Sequence, residues 1–189
     1  IAHRIFYLSG SYKYAQAGEG ACFAHVPVGC KLRPTYTGWF AEFGELDKPR
    51  ETGGKNNVQY SLDGMRFAGA TMDFTALYRL RAVLQLVEKH SITVDVINRH
   101  VVDMQNHFLA ELAKYNHPQL NQANLTVNDE TERGHFLTFE LDSAETTEAL
   151  ANALKSHGIL TDYRGNRLRF GFSLYHTKDT IDLSAIATL

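Results

Sequence analysis

Apolar positions change their spacing several times along the chain, and each change predicts a different element. Ile5 to Leu8 is a short apolar and aromatic run, and Ala21 to Val28 is another, so both read as buried strands. Between them lies "SGSYKYAQAGEG", a polar, glycine-containing loop. From Lys31 to Gly64 the periodicity is lost, and prolines and glycines punctuate a long irregular stretch that holds Trp39, the single tryptophan. A helical period then begins at Thr75, with Leu77, Leu80, Val83, Leu84 and Val87 on one stripe. It resumes from Thr93 to Tyr115 through Val94, Ile97, Val101, Met104, Phe108 and Leu112, and "NHPQLN" ends it. Leu125 to Val127 and His135 to Leu141 read as strands, and Glu145 to His157 as a helix stopped by Gly158. Ile159 to Thr161 and Leu168 to Leu174 read as strands around the turn "YRGN", and Thr177 opens a last helix.

The order helix, strand, strand, helix, strand, strand, helix predicts a small α+β domain with helices layered on a mostly antiparallel sheet. The expected division is residues 1–74, the closing part of a larger α/β domain, and residues 75–189, a connecting helix followed by the small domain. The 189 residues are 44% hydrophobic and 21% charged, the balance of an ordinary globular chain. A formal net charge of -2 gives no electrostatic case for nucleic acid or an anionic membrane as partner. Cys22 and Cys30 form no C-x-x-C pair and read as free thiols of a reducing, cytoplasmic setting. His100 and His107 share a helix face without an obvious third ligand, so no metal is expected.

Lys13, in the first loop, is the candidate for chemistry. A lysine in a loop is ordinarily a solvated surface group. Here flanking strands place it at a sheet edge, where α/β folds keep their sites. Tyr12 and Tyr14 supply hydroxyls and a partly apolar wall, and Gly18 and Gly20 let backbone come close to a ligand. An amine in such surroundings suits Schiff-base chemistry.

The segment "SYKYAQAGEG" resembles the Schiff-base segment of fold type I pyridoxal-phosphate enzymes, in the class V aminotransferase superfamily, and is most similar to that of the kynureninases. The similarity continues in "GWFAEF", "MRFAGATMDFTAL", "ERGHFLTFEL" and "LRFGFSLYHTKDTID". It implies that Lys13 is the catalytic lysine that holds pyridoxal 5'-phosphate and later moves the substrate's Cα proton. It implies that Tyr12 and Thr71 reach the cofactor phosphate, Thr71 from a neighbouring subunit, which makes a homodimer the expected assembly. Trp39 would stand over the phosphate or the substrate entrance. Arg169, in "RLRFGF", would clamp the carboxylate of an amino-acid substrate through its guanidinium fork. Arg167 is expected to be a solvated strand arginine.

Two departures qualify the resemblance. Gly69 stands where a kynureninase is expected to have an asparagine that contacts the aromatic part of its substrate, which bears on kynurenine itself as the substrate. "LTDYRGNRLRF" has no cysteine, which argues against sulfur transfer. The superfamily places the aspartate for the pyridinium nitrogen and the ring-stacking residue before the lysine. The chain is therefore expected to be the C-terminal half of such an enzyme, its partner being the N-terminal half. The other reading of the same residues is a non-catalytic assembly module in which Lys13 is an ordinary lysine.

Overall fold

The computed structural model describes residues 1–41 and 58–189. Residues 42–57 of the predicted irregular stretch, including Glu42 and Phe43 of "GWFAEF", lie outside the described residues. The chain divides into two compact units, Ile1–Ser91 and Ile92–Leu189. The division falls after the first long helix, whereas the expected boundary lay after Phe74.

In the first unit, β1 (Tyr7–Gly10) and β2 (Cys22–His25) pair antiparallel, with Leu8 opposite Ala24 and Gly10 opposite Cys22. The two strands are exposed along most of their length, contrary to the buried strands read from the sequence. The reason is architectural. Strands are covered on both faces only inside a layered sheet, and this one is a two-stranded ribbon. The helix α1 (Thr75–Lys89) follows, and Ala76 is its one buried residue. Its predicted stripe is half-buried at Leu80, Val83 and Val87, and exposed at Leu77 and Leu84. The loop after β1 rests on the start of α1. Gly20 has φ +96°, and a Cβ there would stand 3.0 Å from that of Ala76. Arg79 donates to the carbonyl of Glu19. Only glycine meets both the left-handed backbone and the close approach.

The second unit is built on α2 (Val94–Ala113), β3 (Phe136–Glu140), α3 (Ala144–Ser156), β4 (Asp162–Arg164) and β5 (Arg167–Gly171). Thr93 caps α2 by accepting from the Val96 N–H at 3.2 Å. Ser143 caps α3 by accepting from the Thr146 N–H at 3.1 Å. The sheet is antiparallel in the order β3-β5-β4. Alternation sends Leu137, Phe139, Leu168 and Phe170 inward, where they join Val101, Met104, Phe108 and Leu112 of α2 and Leu150 and Leu154 of α3 in one core. Phe108 meets Phe170 at 4.9 Å and Phe172 at 5.4 Å between ring centroids. The mixture of helix and sheet agrees with the expected α/β class, here as helices over an antiparallel sheet.

Three sequence expectations differ from the structure. Leu125 makes a single bridge with Phe139 and no strand. The strand expected at Ile159–Thr161 is displaced to Asp162–Arg164, because Gly165, with φ +55°, and Asn166 form a two-residue hairpin. The last helix is replaced by two short 3-10 turns, Lys178–Thr180 and Ser184–Thr188. There the Thr180 hydroxyl donates to the Thr177 carbonyl and Asp182 accepts from the Ser184 N–H, so side chains compete with the helical ladder.

Candidate functional site

Lys13 occupies the turn between β1 and β2, whose base Ser11 holds closed. The Ser11 N–H and hydroxyl both donate to the Ala21 carbonyl, at 3.0 and 2.7 Å, and the Ser11 carbonyl accepts from the Ala17 N–H at 2.9 Å. Ser11, Ala17 and Ala21 are buried, so the rim is fixed while its tip stays open to solvent. At the tip, the Gln16 N–H donates to the Lys13 carbonyl at 3.1 Å. The Lys13 ammonium lies 5.2 Å from the centre of the Tyr12 ring, and the side chains of Lys13, Tyr12 and Tyr14 are exposed. Within this chain, then, the tyrosines give the amine a neighbouring ring but no enclosing wall.

Trp39 and Thr71 lie on two segments of the first unit that cross closely. A Cβ on Gly38 would overlap the Gly69 carbonyl oxygen, and the Phe40 N–H donates to that oxygen at 3.3 Å. A Cβ on Gly69 would in turn stand 3.0 Å from the Gly38 nitrogen. The crossing thus leaves no room for a side chain at Gly38 and only a tight fit for one at Gly69. Trp39 is exposed and meets Phe40 edge-on at 5.9 Å, and Thr71 is exposed on the irregular segment that leads into α1. Asp73 and Asp63 are held below the usual carboxylate range, chiefly by the hydroxyls of Thr75 and Ser61 and then by backbone N–H groups, which engages both as turn and helix caps. Arg66 went unnoticed in the sequence. It is buried, its Nη1 donates to the Cys30 carbonyl, and its Nε has no hydrogen-bond partner among the described residues.

Arg169 belongs to the second unit and points outward from the middle of β5. Its guanidinium pairs with Asp162, the residue directly opposite on β4, and lies 5.5 Å from the centre of the Phe136 ring. Gly171 faces Phe136 across β3 and β5, so no side chain blocks the ring. Arg167 differs: it reaches Glu140 at 3.5 Å with 62% of its side chain exposed, against 30% for Arg169. Neither Asp162 nor Phe136 was legible as a site residue, although a Gly-Asn hairpin dictates the 162–169 pairing by counting outward from the turn.

These features define a class: a small α+β domain presenting a sheet-borne arginine, preceded in sequence by a unit whose exposed lysine sits on a hairpin turn. Residues 97–187 match the family described as Kynureninase C-terminal domain. The match covers nearly all of the second unit, so that unit resembles the C-terminal domain of a pyridoxal-phosphate-dependent family. None of the curated proteins compared matches the chain. Among the described residues no helix is long and apolar enough to cross a membrane.

The first unit fits one side of that cofactor. It offers an accessible primary amine on a fixed rim, an adjacent phenol and glycine backbone that admits close approach. Among its described carboxylates, Asp63 and Asp73 are already committed to caps.

Proposed function

We propose that the chain is the C-terminal half of a kynureninase-like pyridoxal-phosphate enzyme acting on an amino acid, with Lys13 as the attachment point and Arg169 as the carboxylate clamp. The family match over residues 97–187, which includes Arg169, supports the enzyme class, and the role of Lys13 rests on the resemblance of its own segment. Bound pyridoxal 5'-phosphate supplies an aldehyde and an electron-withdrawing ring that acidify the substrate Cα–H. Lys13, on its rim held by Ser11, would move the proton at that carbon. Tyr12 and Thr71 would donate hydroxyl hydrogen bonds to the phosphate, and Trp39 would donate its indole N–H there or at the substrate entrance. Arg169 orients the substrate by its carboxylate, leaving Arg167 in solvent.

The N-terminal half would supply the acid for the ring nitrogen and the cover for the exposed hairpin. Thr71 reaching a neighbour's phosphate makes the assembly a homodimer, which sedimentation of the full-length enzyme tests. Sulfur transfer is disfavoured, because Cys22 and Cys30 both lie in the first unit. The exposure of Lys13, Tyr12, Trp39 and Thr71 favours the second reading, a non-catalytic assembly module. Lys13→Ala in the full-length enzyme separates the two. The first reading expects loss of the visible absorbance of protein-linked cofactor at an unchanged melting temperature. An unaltered spectrum supports the module.

A further inference from the structure

Arg169 is the one side chain of the second unit to which the proposed function gives a ligand, and the sheet already controls where its guanidinium goes. Asp162 stands opposite it in the β4–β5 ladder and accepts from Nη2. Phe136 stacks beside it at 5.5 Å, and Thr138 is its partner on the other strand. No described residue accepts from Nε or Nη1 of Arg169. The guanidinium is therefore held at one nitrogen while other donors remain for a ligand.

We propose that Asp162 is a positioning residue for the substrate carboxylate: it fixes the Arg169 fork before binding and is not displaced from it. This rests on the reading of Arg169 as the clamp. Two effects oppose each other. A carboxylate beside the guanidinium repels the incoming carboxylate, but 63% of the Asp162 side chain is exposed, and water screens the repulsion. A free arginine, by contrast, loses much of its rotamer freedom when it is first ordered by a ligand. Prior ordering by Asp162 removes that loss from the binding step, so orientation outweighs repulsion.

The test uses the full-length enzyme loaded with pyridoxal 5'-phosphate and titrated with L-kynurenine and with L-alanine, followed by cofactor absorbance. The rate of Cα–H exchange in deuterated water at saturation is read beside the affinity. Asp162→Asn is expected to weaken binding of both amino acids about three- to tenfold, with the exchange rate at saturation, the cofactor spectrum and the melting temperature unchanged. Asp162→Glu, which keeps the charge, should restore most of the affinity. In an Arg169→Lys background, Asp162→Asn should add nothing. Unchanged or tighter binding in Asp162→Asn overturns the proposal, as does a joint fall in melting temperature and exchange rate, which would assign Asp162 to strand pairing alone. If Arg169→Lys itself has no effect, or the unaltered enzyme binds neither amino acid, the clamp reading fails and takes this inference with it. If Arg169→Lys weakens binding and Asp162→Asn does not, only the role of Asp162 fails.

Discussion

The two units bury their apolar residues to very different degrees. In the second, seventeen core residues form a single cluster in which Phe139, Leu154 and Leu168 are fully enclosed. In the first, the buried residues described are Ser11, Ala17, Ala21, Arg66 and Ala76, while Phe6, Tyr7, Leu8 and Phe23 remain exposed. Both are rich in apolar sequence, so composition does not make the difference. The second unit closes a layer of helices over its sheet from its own residues. The first has a two-stranded ribbon whose apolar surface calls for cover from outside the described residues. The region with the self-sufficient core holds the proposed clamp, and the region with the open surface holds the proposed attachment lysine.

The comparison breaks most readily on core truncations. Phe139→Ala should cost about 3–5 kcal/mol in denaturant unfolding of the second unit, and Leu154→Ala about 2–5. Phe23→Ala in the hairpin should cost under about 1 kcal/mol in the same chain, because little is enclosed there. A large loss at Phe23 would mean that the hairpin has a core of its own.

Next in size is the clamp. Arg169→Lys keeps the charge and loses the fork, and a hydrogen bond to a charged group contributes about 1.5–3 kcal/mol. Amino-acid affinity of the full-length enzyme should fall at least about tenfold, with cofactor binding near normal. Arg167→Lys, at the exposed Glu140 pair, should change little. Equal effects at both arginines would misplace the clamp.

Cap removal is smaller. Thr93→Ala and Ser143→Ala should each destabilise the second unit by about 1 kcal/mol, read as a lower denaturant midpoint at constant slope.

The smallest expected effect is a pH dependence of the same unit. Burial pushes His117 below the ordinary imidazole range, and His135 shifts likewise for the same reason. The neutral His117 Nδ1 accepts the N–H groups of Gln119 at 3.1 Å and Leu120 at 3.0 Å. The unfolded chain binds these protons more readily, so stability is complete above about pH 6.5 and falls as pH drops through the lower folded values. His117→Asn, which keeps an acceptor, should flatten that slope in unfolding measured between pH 7 and pH 5.

How much of this was legible follows the same division. The α2 stripe from Val101 to Leu112 is buried as its period demands, and Gly158, at φ +81°, stops α3 where a glycine stop was read. Local pattern and tertiary burial agree wherever the core is complete. The apolar runs Ile5–Leu8 and Ala21–Val28 placed two strands near their true positions, but a continuous apolar run says that a strand wants cover, not that this chain provides it. The strand at Asp162–Arg164 was missed because "YRGN" was read as a four-residue turn when two residues suffice. That one shift hid Asp162 from view. Lys13 was legible from its flanking strands, tyrosines and glycines, whereas Arg169 stands apart from other cations only through family resemblance.

The most direct measurement of the central claim is a chemical map of the cofactor's attachment. The full-length enzyme, loaded with pyridoxal 5'-phosphate, is reduced with borohydride, digested and sequenced by mass spectrometry. The account predicts a pyridoxyl group on the peptide that carries Lys13, between Tyr12 and Tyr14, and on no other lysine. An adduct mapped to a different lysine, or no adduct at all, would contradict it.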